Sequence, residues 1–143
     1  MPKFIQNLND LLTKYGTMKK ILIVDDDKDI VELIMNRLKK YNYEVIFAND
    51  GDSGYKKAVQ FKPDLIIMDI MMPTLSGGEA VKLLKSNDTT QHIPILFFTA
   101  LATNLPGDRG IDQINVNGQL YPAMTKPFDQ DKLLSAIKLL LNE

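Results

Sequence analysis

The feature that most constrains this chain is a short, unbroken apolar run that ends on an acid, and it occurs twice. Leu65-Ile66-Ile67-Met68 runs into Asp69, and Ile21-Leu22-Ile23-Val24 runs into Asp25-Asp26-Asp27. Four apolar residues without polar alternation read as a strand buried on both faces. Such strands lie at the centre of parallel sheets, and open α/β sheets bind ligands beyond the carboxyl ends of their strands. A carboxylate at that end is costly to bury unless a cation or a hydrogen-bond donor meets it. The chemistry of the chain therefore turns on what meets Asp69.

At 143 residues the chain suits one domain, and 45% hydrophobic residues supply its core. There are no cysteines and the net charge is −1. The first fits a reducing, cytoplasmic setting. The second gives no electrostatic reason to expect nucleic acid or a membrane surface as partner. No apolar run approaches the roughly 20 residues of a membrane span. The first residues are amphipathic rather than an apolar block, so they do not read as a signal peptide.

Residues 1–17 read as a separate extension. Phe4, Ile5, Leu8, Leu11, Leu12 and Tyr15 recur at helical spacing and Gly16 can close the helix. The remainder, residues 18–143, reads as one domain. After the first apolar run, Asp27 caps a helix whose core face is Ile30, Ile34 and Leu38. Glu44 to Ala48 is a shorter strand, and Asp52 or Ser53 opens a helix through Phe61. Beyond Pro73, Thr74 to Gly78 is a flexible turn and Glu79 to Lys85 a helix. Ile93 to Ala100 is the next buried strand. Leu101 to Gly118 holds Pro106 and three glycines, so any helix there is short. Leu120 to Thr125 is a last strand, with Pro122 favouring an edge position. Asp129 caps a final helix with Leu133, Leu134, Ile137, Leu140 and Leu141 inward. Strand and helix alternate five times, which implies a (βα)5 doubly wound parallel five-stranded sheet with an extra N-terminal helix.

In such a sheet Asp25, Asp26, Asp69, Thr99 and Lys126 all fall at strand ends on one edge. One acid there is often only a helix cap; three acids, a hydroxyl and a lysine are harder to assign to capping. Gathered carboxylates repel, which raises at least one pKa unless a cation intervenes. Mg²⁺ takes a few carboxylate oxygens and keeps open positions for phosphate. Lys126 adds a mobile positive charge and Thr99 a donor. A metal, a lysine and a hydroxyl around a carboxylate nucleophile suit phosphoryl transfer, with an acyl phosphate on Asp69 as product.

These residues also resemble the receiver domain of bacterial two-component response regulators. The matching pieces are Ile21 to Asp27, Met68-Asp69-Ile70-Met71-Met72-Pro73, Phe98-Thr99-Ala100 and Thr125-Lys126-Pro127-Phe128. Their order and rough spacing agree from about residue 18 onward. The resemblance implies a flavodoxin-like strand order 2-1-3-4-5. It implies that Asp69 accepts phosphate from a histidine kinase or phosphotransfer protein. Asp26 and Asp69 would bind Mg²⁺, with Asp25 assisting directly or through water and the Met71 backbone carbonyl as a further ligand. Thr99 and Lys126 would hold the phosphoryl group, and the Lys126–Pro127 peptide would be cis. The output would be a changed contact with a downstream protein.

Two features depart from that family. The aromatic residue expected three positions before the lysine is Ala123 here, with Tyr121 the nearest substitute. The Thr99-to-Lys126 segment is longer than usual. A degenerate receiver that binds partners without phosphate is therefore one alternative. A Mg²⁺ phosphatase with an aspartyl nucleophile is another, although Met71 stands where such enzymes often carry a second acid. Met71 and Leu101 flank the site and would limit water there. His92, the single histidine, reads as a loop residue.

Overall fold

The apolar runs form strands because every second side chain has an apolar layer to enter on each side. The computed structural model describes residues 18–72, 76–99, 105–106, 112–126 and 129–143, with Thr99, Leu105 and Pro106 described by backbone alone. In chain order the elements are β1 (Lys20–Val24), α1 (Lys28–Lys39), β2 (Glu44–Ala48), α2 (Gly51–Phe61), β3 (Leu65–Met68) and α3 (Gly77–Ser86). They continue with β4 (Ile95–Thr99), β5 (Leu105–Pro106), β6 (Asp112–Val116), β7 (Gln119–Thr125) and α4 (Gln130–Leu140). The strands make one sheet in the order β2-β1-β3-β4-β7-β6-β5.

The first five strands of that order are parallel, which is the expected 2-1-3-4-5 arrangement with β7 as its fifth member. Alternate residues of each central strand enter different cores. Leu22, Val24, Ile66, Met68, Ile95, Phe97 and Ala123 pack on one face with α2 and α3. Ile21, Ile23, Leu65, Ile67, Leu96, Phe98 and Met124 pack on the other with α1 and α4. Both faces are thus buried, as a central strand without polar alternation requires.

The helices start where short polar side chains satisfy their first N–H groups. Asp27 accepts from Asp29 and Ile30, and Asp129 accepts from Asp131. Two expected starts move. Asp50, not Asp52 or Ser53, caps α2 by accepting from the Ser53 N–H at 2.7 Å. Ser76 caps α3 by accepting from the Glu79 N–H at 3.2 Å, so Gly77 and Gly78 belong to the helix rather than to a flexible turn.

The larger correction lies after β4. The sheet has seven strands, not five, and among the described residues no helix lies between β4 and β7. In its place β6 pairs antiparallel with β7, and β5 with β6. The reason is a period-two pattern: Ile114, Val116, Tyr121 and Ala123 are all buried on one face. Asn117 and Gly118 between the strands have φ of 55° and 85°. Those positive values suit the tight hairpin turn that Asn-Gly forms readily. Pro122 is accordingly interior rather than on an edge strand. The sheet tolerates it because the β4 ladder begins at Ala123, paired with Phe97, one residue beyond the proline that has no N–H to give. The expected N-terminal helix over 1–17 lies outside the described residues.

Candidate functional site

The acids sit one residue past the ends of β1 and β3, and the sheet ladder continues far enough to fix them. The Asp69 N–H donates to the Val24 carbonyl at 2.9 Å, and the Asp25 N–H donates to that of Ala48 at 3.1 Å. Neighbouring strand tips are therefore held level. One carboxylate oxygen from each of Asp25, Asp26 and Asp69 lies within 4.8 Å of the others. Asp25 and Asp69 are buried, at 2% and 7% exposure, while Asp26 faces solvent.

Lys126, just past the end of β7, reaches across this edge. Its Nζ lies 2.9 Å from Asp25 Oδ2 and 3.2 Å from Asp69 Oδ2. It also stands 5.8 Å from the centre of the Phe98 ring. The remaining oxygens of the two buried acids take backbone donors: Asp27 N–H to Asp25 Oδ1 at 2.9 Å, and Met71 N–H to Asp69 Oδ1 at 3.1 Å. Each buried carboxylate thus meets one ammonium and one amide, which is what makes its burial tolerable.

Burial is the largest influence on Asp25 and raises its pKa above 3.8, assisted by the nearby charge of Asp69. The Asp27 amide and Lys126 oppose this without cancelling it. For Lys126, burial acts to lower the pKa, but Asp25 and Asp69 together hold it above the ordinary lysine value of 10.5. The ionised form of Asp25 is thus disfavoured by its burial, and added positive charge would favour it.

Of the residues expected from sequence, the structure brings Asp25, Asp26, Asp69 and Lys126 together. Thr99 ends β4 in register with Thr125, next to Lys126, so its backbone stands on the same edge; its side chain lies outside the description. Met71 follows Asp69 closely and is 64% exposed. Leu101 and the Lys126–Pro127 peptide fall outside the described residues. His92 is exposed. Tyr121 is a core residue: its ring meets Phe97 edge to face at 5.5 Å and its hydroxyl donates to Gln119 Oε1 at 3.3 Å.

Sequence reading missed Gly77. A Cβ there would lie 2.8 Å from the Asp69 carbonyl oxygen and 2.8 Å from Ile70 Cα. The Gly77 N–H also donates to the Ile70 carbonyl at 3.1 Å. Only glycine lets α3 start this close to the acid. The spacing Ser76-x-x-Glu79 is the sequence signal that marks this helix start.

A sheet edge with three acids and a crossing lysine at adjoining strand tips defines a receiver-type α/β site. A family model for the response regulator receiver domain matches residues 21–138, and the chain belongs to that family. It is similar to the DNA-binding dual master transcriptional regulator RpaA of Synechocystis sp., 37% identical over 124 residues, or 87% of this chain and 49% of that protein. It is similar to the alkaline phosphatase synthesis transcriptional regulatory protein PhoP of Bacillus subtilis, 38% identical over 123 residues, 86% of this chain and 48% of that one. The chain thus spans about half the length of these curated relatives. Among solved structures, the chemotaxis response regulator CheY4 of Vibrio cholerae superposes with a TM-score of 0.74 at 30% identity. That match covers 87% of this chain and 99% of the other. Among the described residues no helix is long and apolar enough to cross a membrane.

Proposed function

We propose that Asp69 is the phosphoacceptor of this receiver domain and that Asp25, Asp26 and Asp69, with the Met71 backbone carbonyl, hold Mg²⁺. The observation that carries this reading is Lys126, whose ammonium spans the two buried acids at 2.9 and 3.2 Å. The donor set suits the ion: three hard carboxylates within 4.8 Å, two of them buried, and no histidine or cysteine among them. When bound, Mg²⁺ neutralises the negative charge that gathers on the transferring phosphoryl oxygens.

The residues of the chain divide the remaining work. An Asp69 oxygen forms the new P–O bond while the P–N bond to the phosphohistidine of a kinase or phosphotransfer protein breaks. The leaving imidazole nitrogen takes its proton from water. Lys126 stands beside Asp69 Oδ2 and neutralises part of the incoming charge, and it exchanges one carboxylate partner for the phosphoryl group. The Met71 N–H keeps the Asp69 side chain in a fixed rotamer. Thr99, on the neighbouring strand end, supplies a donor to a second phosphoryl oxygen. The outcome is a switch rather than a turnover enzyme: the domain phosphorylates and dephosphorylates itself, and it signals in the cytoplasm through a contact with a downstream protein. The net charge of −1 supplies no electrostatic pull toward nucleic acid.

Acetyl phosphate with Mg²⁺ should add one phosphoryl group to the intact protein. Asp69→Asn should abolish that mass increase, and a chelator should abolish it in the unaltered chain. No mass increase in the unaltered chain would favour a receiver that works without phosphate. Steady release of phosphate from small phosphomonoesters would favour a phosphatase.

A further inference from the structure

We propose that the β6–β7 hairpin reads the state of Asp69, because the structure ties it to that residue at both ends. This rests on the phosphoacceptor reading and names the element that carries its signal. One tie runs through α3. Gly77 packs on the Asp69–Ile70 backbone so closely that a methyl group would not fit, and its N–H binds the Ile70 carbonyl. The next residue, Gly78, offers its carbonyl to the Asn117 side-chain amide at 2.9 Å. Asn117 is the first residue of the hairpin turn, with φ 55°. The tip of the hairpin is therefore fastened to the first turn of α3, two residues from the backbone of the acid loop.

The second tie runs along β7. This strand ends at Thr125, and Lys126 follows directly onto Asp25 and Asp69. β7 pairs with β6 from Ala123 opposite Asp112 to Gln119 opposite Val116. A closed circuit results: Asp69, Gly77, Gly78, Asn117, β7, Lys126 and back to Asp69. Lys126 already has two alternative carboxylate partners. A phosphoryl group on Asp69 changes its preference between them and moves the end of β7. The same group alters the hydrogen bonding of the Asp69–Met71 loop, and α3 passes that displacement to the hairpin tip. A switch needs an element that both inputs bias, and the hairpin is the one they share. Tyr121, buried on this hairpin, meets Phe97 of β4 and lies under Lys85 at 5.9 Å, so the hairpin also packs on α3, the element that carries the first tie.

The test uses backbone amide NMR of the full chain with Mg²⁺ and beryllofluoride, which mimics the acyl phosphate. In the unaltered chain the Met71 amide should shift, and the amides of Val116, Gln119 and Leu120 should shift with it. Asn117→Gly keeps the positive φ and removes the amide that holds Gly78. In that variant Met71 should respond fully, while the hairpin response shrinks about twofold or more because one of its two links is gone. Asn117→Asp sets an acceptor against the Gly78 carbonyl and should decouple the hairpin in the same way. Unchanged amides in β1 and α1 show that either variant is folded. A full-sized hairpin response in both variants would overturn the proposal, as would a silent hairpin beside a responding Met71. A silent Met71 would overturn the phosphoacceptor reading, and the coupling with it.

Discussion

Replacing Gly77 and Gly78 separately by alanine should move stability in opposite directions, although the two residues are adjacent in one helix. At Gly78 the added Cβ meets only ordinary contacts, the nearest 3.7 Å away on Asn117 and Val116. Gly78→Ala therefore keeps the fold and stabilises it by up to about 0.5–1 kcal/mol, the difference in helix preference. At Gly77 the same carbon lands 2.8 Å from the Asp69 oxygen and from Ile70 Cα, and 3.2 Å from Phe97 Cε1. Two of these are backbone atoms and the third belongs to a fully buried ring, so none yields easily. Overpacking of this kind costs about 1–3 kcal/mol. The gain in helix preference offsets part of it, leaving a net loss of about 1–2 kcal/mol. Urea unfolding reads this directly: with a slope of about 2 kcal/mol per molar, the midpoint should fall by about 0.5–1 M. Because the strain falls on the Asp69 peptide, Mg²⁺ should also bind Gly77→Ala more weakly and Gly78→Ala normally. Changes of the same sign at both positions, or a Gly77→Ala protein with unaltered midpoint and Mg²⁺ affinity, would refute the argument that α3 rests on the acid loop.

Lys126→Met leaves Asp25 and Asp69 without their shared ammonium. Because the lysine is partly exposed, the loss should be about 1–3 kcal/mol rather than the larger cost of a fully buried pair. Mg²⁺ should raise the melting temperature of this variant more than that of the unaltered chain. Magnesium affinity should also fall as the pH drops toward the raised pKa of Asp25. The folded protein holds the Asp25 proton above the usual 3.8, and the ion needs the ionised form, so acidification through the raised value sets proton against metal. Isothermal titration across that range should show the slope, and Asp25→Asn should flatten it. Tyr43 donates to Glu143 Oε1 at 2.7 Å, so Tyr43→Phe should cost about 0.5–1.5 kcal/mol. Burial, then Glu143, raises the pKa of Tyr43 well above 10.0. Its contribution should therefore persist through neutral pH and fade only at strongly alkaline pH, which denaturation at both extremes would reveal.

The central sheet was legible because Ile21–Val24 and Leu65–Met68 are apolar at every position, and only a strand covered on both faces uses such a run. The gathering of Asp25, Asp26, Asp69 and Lys126 followed from it, since parallel strands bring their carboxyl ends to one edge. What the sequence obscured were features that depend on contacts rather than on runs. The hairpin was hidden because Pro122 is typical of an edge and because Pro106, Gly107 and Gly110 break the regular pattern ahead of the Asn117-Gly118 turn. Its alternation, with Ile114 and Val116 before the turn and Tyr121 and Ala123 after it, is the period-two signal of a hairpin. Gly77 read as part of a flexible turn, because nothing in a glycine announces that a neighbouring backbone occupies the place of its missing Cβ. Tyr121 stood out as the aromatic nearest to Ala123, but nothing in the sequence announced the contact of its ring with Phe97.

The most direct test of the site is a crystal structure of the chain with Mg²⁺ and beryllofluoride. The account predicts beryllium bonded to a carboxylate oxygen of Asp69, Mg²⁺ held among Asp25, Asp26 and Asp69, and the Lys126 ammonium turned from Asp25 to a fluorine. Beryllium on Asp25 or Asp26, or a Lys126 that still bridges the two buried acids beside an empty Asp69, would contradict it.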